Sequence, residues 1–107
     1  MSIAYSWQFD SLDVYPHYQT VDDAVESMHW RITADDGLGH HATAYGEVKA
    51  GPIDVNNFIP FNQLTEPVVQ GWCEAQMGSE LDEVKAWLTG RINEQINPTI
   101  VALAPPW

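Results

Sequence analysis

The sequence predicts an α+β domain: a three- to four-stranded antiparallel sheet, then a two-helix hairpin, then an extended C-terminal segment. Three observations predict it. Over residues 1–50, apolar and polar side chains alternate, which is the period of half-buried strands. Over residues 63–97, apolar residues recur every three or four positions, which is the period of helices with one buried stripe. Glycines and prolines stand at the junctions between these stretches and at the start of residues 98–107. The chain of 107 residues is of single-domain size, and a chain this long buries a core without disulfide staples.

The first strand spans Ala4 to Tyr15. Tyr5, Trp7 and Phe9 occupy alternate positions, but Leu12 and Val14 fall on the opposite parity, so a bulge at Asp10-Ser11 is expected to restore one apolar face. Pro16 is expected to end the strand, having no N–H to donate. In the second strand, Ala24 to Ala34, one face carries Ala24, Met28, Trp30, Ile32 and Ala34. The other carries Ser27, His29, Arg31 and Thr33. That pattern sets one side on a core and one toward water.

Asp35-Asp36-Gly37-Leu38-Gly39 has turn chemistry, acids to start it and glycines that tolerate positive φ. The third strand, His41 to Val48, then pairs with the second as a hairpin. Its core positions Ala42, Ala44, Gly46 and Val48 are small enough to let a helix or Trp30 come close. After the loop from Ala50 to Pro60, Leu64-Thr65-Glu66-Pro67 forms a helix start: a capping threonine, an acid in the first turn and a proline where none of the helix's bonds is lost.

Val69, Trp72, Cys73 and Met77 form the stripe of a helix from Thr65 to Met77, with Gly78 as its stop. Ser79 is expected to cap the next helix, Glu80 to Ile96, whose stripe is Leu81, Val84, Leu88, Ile92 and Ile96, with Pro98 beyond it. Thr99 to Ala104 is apolar and β-prone, a candidate fourth strand at the sheet edge.

Composition excludes several function classes. Fifteen acids against four bases give a formal charge of −11, spread along the chain and not gathered in a tail. Such a field repels phosphate backbones, so direct nucleic-acid binding is not expected, whereas a basic protein surface is a fitting partner. The single cysteine, Cys73, excludes an internal disulfide and a thiolate zinc site, and it sits on an apolar stripe. No membrane-spanning run and no signal-like N-terminus is present, which points to a reducing compartment.

Catalytic patterns are missing as well. There is no nucleophile elbow and no phosphate loop, and the acids Glu80, Asp82 and Glu83 belong to a helix's first turn, where the dipole favours them. His40-His41 are neighbours on a strand and point to opposite faces, so no metal site is expected there; His17 and His29 are isolated in sequence. Neither an enzyme nor a cofactor is expected. Five tryptophans and four tyrosines exceed what a core of this size needs, so some serve contact with other molecules. The candidate partner-binding residues are Phe58, Ile59, Pro60 and Phe61, three large apolar groups in a loop, and Pro105, Pro106 and Trp107, a stiff segment with an aromatic end.

Tyr5-Ser6-Trp7, His29-Trp30-Arg31, Ala34-Asp35-Asp36-Gly37 and Tyr45-Gly46 resemble a family of short tailed-bacteriophage proteins, known also from phages of aquatic bacteria, the cyanobacterial type included. Phe58-Ile59-Pro60-Phe61, Leu64-Thr65-Glu66, Val69, Trp72 and the Pro-Pro-Trp end extend the resemblance over nearly the whole chain. It implies a phage source and brings no catalytic residues with it. The expectation is a protein–protein interaction module of the virion, a capsid decoration or head or tail accessory protein present in the host cytoplasm before assembly. Its partner would be a phage structural protein, with a second copy of the chain as a further option. The rival class is an acidic inhibitor that imitates nucleic acid before a host defence or transcription protein.

Overall fold

In the computed structural model, which describes residues 2–107, three strands precede two helices: β1 (Ala4–Tyr18), β2 (Val21–Asp35), β3 (His41–Lys49), α1 (Glu66–Met77) and α2 (Ser79–Ile96). Short 3₁₀ turns at Val55–Asn57 and Phe61–Gln63 break the loop before α1. The sheet has the order β1-β2-β3 and is antiparallel throughout, so β2 is central and β1 and β3 are both edges.

The slip in β1's alternation is absorbed as expected. Phe9 pairs with Trp30 and Ser11 with His29, which leaves Asp10 as the extra residue. Tyr5, Trp7, Phe9, Leu12 and Val14 therefore all pack on the core. A second irregularity, not expected from the sequence, lies at Glu26: Asp13 pairs with Ser27 and Val14 with Val25. It shifts the parity of β2, so Val25 joins Met28 in the apolar cluster, whereas Ala24, assigned to that face from the sequence, is buried outside it. Ser27, assigned to the water-facing side, is fully buried.

Pro16 does not end β1. The strand runs on to Tyr18, with His17 opposite Asp22 and Tyr18 opposite Val21. An edge strand tolerates a proline because one row of its main-chain groups has no ladder partner. The turn back into β2 passes through Gln19, whose φ is +52°.

Both helices lie on one face of the sheet. Val69, Cys73 and Met77 of α1 and Leu81, Leu88 and Ile92 of α2 close over Met28, Trp30, Ile32 and Ala34. α1 starts beside Phe9 and Leu12 and brings Gln76 against Gly51 beyond β3. α2 starts beside Tyr45 to Glu47 and ends where Gln95 donates to the His41 carbonyl, at the opposite end of the sheet. The helices meet at Gly78, whose φ of +54° lets the chain turn between them, and each spends its apolar face on the sheet. Thr65 holds the N-cap position of α1 without a side-chain bond, and Ser79 is the first residue of α2 and not its cap.

Gly46 makes room within the sheet for its cross-strand neighbour Trp30. The Trp30 indole occupies its missing side chain, since a Cβ there would stand 2.7 Å from Trp30 Cζ2. Across the sheet, Tyr5 and Thr89 share a hydrogen bond of 3.1 Å and Lys85 lies over the Tyr5 ring, which ties β1 to α2.

The fourth strand does not form. Residues 98–107 follow no regular structure and leave the body of the molecule. The β-prone run from Thr99 to Ala104 lacks a strand partner, and its root is fixed at the end of α2 instead. There Thr99 N and Oγ1 each donate to Glu94 Oε1 at 2.9 Å. These two bonds hold the Glu94 carboxyl below its ordinary range.

Candidate functional site

The two segments singled out from the sequence as contact surfaces lie at opposite ends of the molecule. Phe58, Pro60 and Phe61 stand beside Thr20 to Asp23, at the β1–β2 turn. Phe58 is half-buried, while Ile59, at 36% exposure, and Phe61, at 42%, look outward. Phe61 forms one wall of a shallow hollow of about 320 Å³ whose other apolar walls are Phe9, Leu12, Leu64 and Val69. Phe58 and Ile59 line a second, with Trp72 and Ile53. This loop both covers the edge of the core and presents apolar surface.

The 98–107 segment is different in kind, because it covers nothing. Ile100 is 88% exposed, Leu103 85% and Trp107 97%, and Pro105 and Pro106 are exposed with them. The molecule is 72 Å long and only 28 and 23 Å across. Pro105 and Pro106 stiffen the approach to Trp107, so its indole presents apolar area at low conformational cost on binding.

On the sheet face away from the helices, the acids are engaged with the bases. Asp10 accepts from Arg31 Nη2 at 3.0 Å, and Glu26 accepts from Lys49. Asp13 Oδ2 lies 2.8 Å from His29 Nε2 and accepts from Ser27 Oγ at 2.9 Å. The bond with His29 and then the one from Ser27 hold the Asp13 carboxyl below its ordinary range, and the same bond to Asp13 raises the His29 imidazole. His17 likewise has an acidic partner, Asp22, at 2.9 Å. Sequence reasoning treated His17 and His29 as isolated. Their partners lie across a strand pairing, and only the register shows them.

The Asp35–His40 turn is organised by Asp36, whose side chain is fully buried. Its Oδ1 accepts from the Leu38 and His40 N–H groups at 2.8 and 3.1 Å, and its Oδ2 lies 2.7 Å from His40 Nδ1. Burial pushes this carboxyl upward, but the three bonds outweigh it and the net displacement is downward. His40 is thus used by the turn, while His41 begins β3.

Cys73 is buried against Met77, and desolvation pushes its thiol up to about 11, which leaves no thiolate for nucleophilic chemistry. Among the described residues, no helix is long and apolar enough to cross a membrane. The family described as a domain of unknown function (DUF7936) matches residues 2–107. No curated protein and no solved structure matches the chain.

Proposed function

We propose that the chain, which belongs to this family of unknown function, is a non-catalytic protein–protein interaction module, an accessory protein of a phage particle. The 98–107 segment is the attachment element, with Trp107 as anchor and Ile100 and Leu103 beside it. The observation that carries this is the near-complete exposure of those three side chains on a segment that contributes nothing to the core. Large apolar groups held in water in this way mark contact surfaces.

The partner is a protein with an apolar groove bordered by basic groups, toward which the charge of −11 steers the approach. The Phe58–Phe61 loop, at the other end, supplies a second contact, so one molecule can bridge two neighbouring subunits. The pairing of Asp10, Asp13 and Glu26 with Arg31, His29 and Lys49 weighs against the nucleic-acid-mimic alternative, which needs free carboxylates in a phosphate-like row.

The test is quantitative mass spectrometry of purified phage particles whose genome encodes the chain. We expect the wild-type protein at a fixed stoichiometry to a shell or tail protein, and at least tenfold depletion when Trp107 is changed to Ala. Absence of the wild-type chain from the particles would overturn the assignment.

A further inference from the structure

Asp13, His29 and Glu47 come from three different strands and meet on the helix-free face of the sheet. His29 is on the central strand, Glu47 is its direct partner on β3, and Asp13 is one diagonal step away on β1. One ligand-type atom from each lies within 4.8 Å of the other two. We propose that these three side chains form a binding site for a first-row divalent cation of the zinc class, with water completing a four-coordinate shell.

The donor set selects the metal class. One imidazole nitrogen and two carboxylates is a nitrogen-and-oxygen set of the type zinc accepts from three protein ligands. Calcium asks for six to eight oxygens, and three residues do not supply them. Zinc bonds to nitrogen and oxygen at about 2.0–2.2 Å, so tetrahedral ligand atoms stand roughly 3.4 Å apart. His29 Nε2 and Asp13 Oδ2, now 2.8 Å apart, would separate by about half an ångström as the ion replaces their hydrogen bond. Glu47 reaches in by a side-chain rotation, which its exposed position allows.

The surroundings suit such a site. The ligands stand on a paired sheet, so their backbones are already fixed in position. Ser27 Oγ, fully buried, donates to the same Asp13 Oδ2 that faces His29, an outer-shell bond that orients a carboxylate ligand. Of the nearby cations, Arg31 is engaged by Asp10 and Lys49 by Glu26, and Lys49 Nζ stands 3.8 Å from Glu47. Glu47 is therefore the least committed of the three.

Calorimetric titration of the full chain with zinc chloride in a non-chelating buffer tests the site. The expected result is one equivalent bound at micromolar affinity, with at least a tenfold loss in His29→Ala and in Asp13→Asn. His17→Ala removes the other exposed histidine–aspartate pair, which has no third ligand, and should bind as the wild type does. Glu47→Gln changes an exposed group with no short bond, so it keeps the fold and should still weaken binding severalfold. Wild-type affinity retained in His29→Ala or Glu47→Gln, or no uptake by the wild type at millimolar zinc, would overturn the proposal.

Discussion

Asp36 shows how a single carboxylate can specify a turn. A buried acid is costly unless its lone pairs are filled, and here two backbone N–H groups and the His40 ring fill them. Because the folded carboxyl titrates below its unfolded value of about 4, its contribution is present above that value and is lost as pH falls through the lower, folded one. Asp36→Asn keeps an oxygen for the N–H groups and loses the charged contact with His40. Its melting temperature should fall by roughly 5 °C at pH 7, and the gap to wild type should be smaller at a pH below the unfolded value of about 4. An equal gap at both pH values would show that the charge is immaterial. The turn was legible in the sequence from Asp35-Asp36-Gly37, but the role of Asp36 was not, because burial of a turn acid depends on what packs around it.

The same contrast holds for whole elements. The alternation in β2 from Met28 onward and the helical stripes as far as Ile92 survive translation into structure because side-chain period is a local property, whereas Ile96, read as the last stripe residue, is 40% exposed. Leu88 and Ile92, read as stripe residues, are fully buried. The bulge at Asp10 was legible because large apolar residues change parity across it, from Tyr5, Trp7 and Phe9 to Leu12 and Val14. The bulge at Glu26 was hidden, since its neighbours Val25 and Ser27 give a weaker apolar contrast. Pro16 misled because a proline breaks only those strands that need its missing N–H, and whether β1 is an edge is a matter of topology. The Asp13–His29–Glu47 cluster was out of reach for the same reason: its members share no local pattern and converge only through strand order and register.

Gly46 is an element-scale feature too, the point at which β3 yields space to Trp30. Gly46→Ala should destabilise the protein by about 1–3 kcal/mol, the usual cost of overpacking, read as a lower urea midpoint. An unchanged midpoint would show that the indole has room to retreat.

At the scale of the whole molecule, the core and the exposed tail are built from different stretches of chain. The buried apolar residues all lie between Ala24 and Ile92, while the large apolar residues of 98–107 face water. Removing residues 98–107 should therefore shift the melting temperature by less than about 2 °C, within what exposed positions contribute. X-ray scattering should show the radius of gyration falling from 18.7 Å toward the roughly 13 Å expected for a compact domain of this length. A larger thermal loss would mean that the segment folds back on the sheet. The sequence allowed an edge strand over Thr99–Ala104 and a Trp107 folded back as a lid on the sheet; the strand does not form, and Trp107, at 97% exposure, is no lid.

The 72 Å length has a practical consequence for anyone handling the protein. Gel filtration measures friction and not weight, and a 12.0 kDa chain with an extended arm diffuses like a heavier sphere. Early elution is what a lone chain of this outline gives, and stoichiometry in solution is properly judged by light scattering or sedimentation equilibrium.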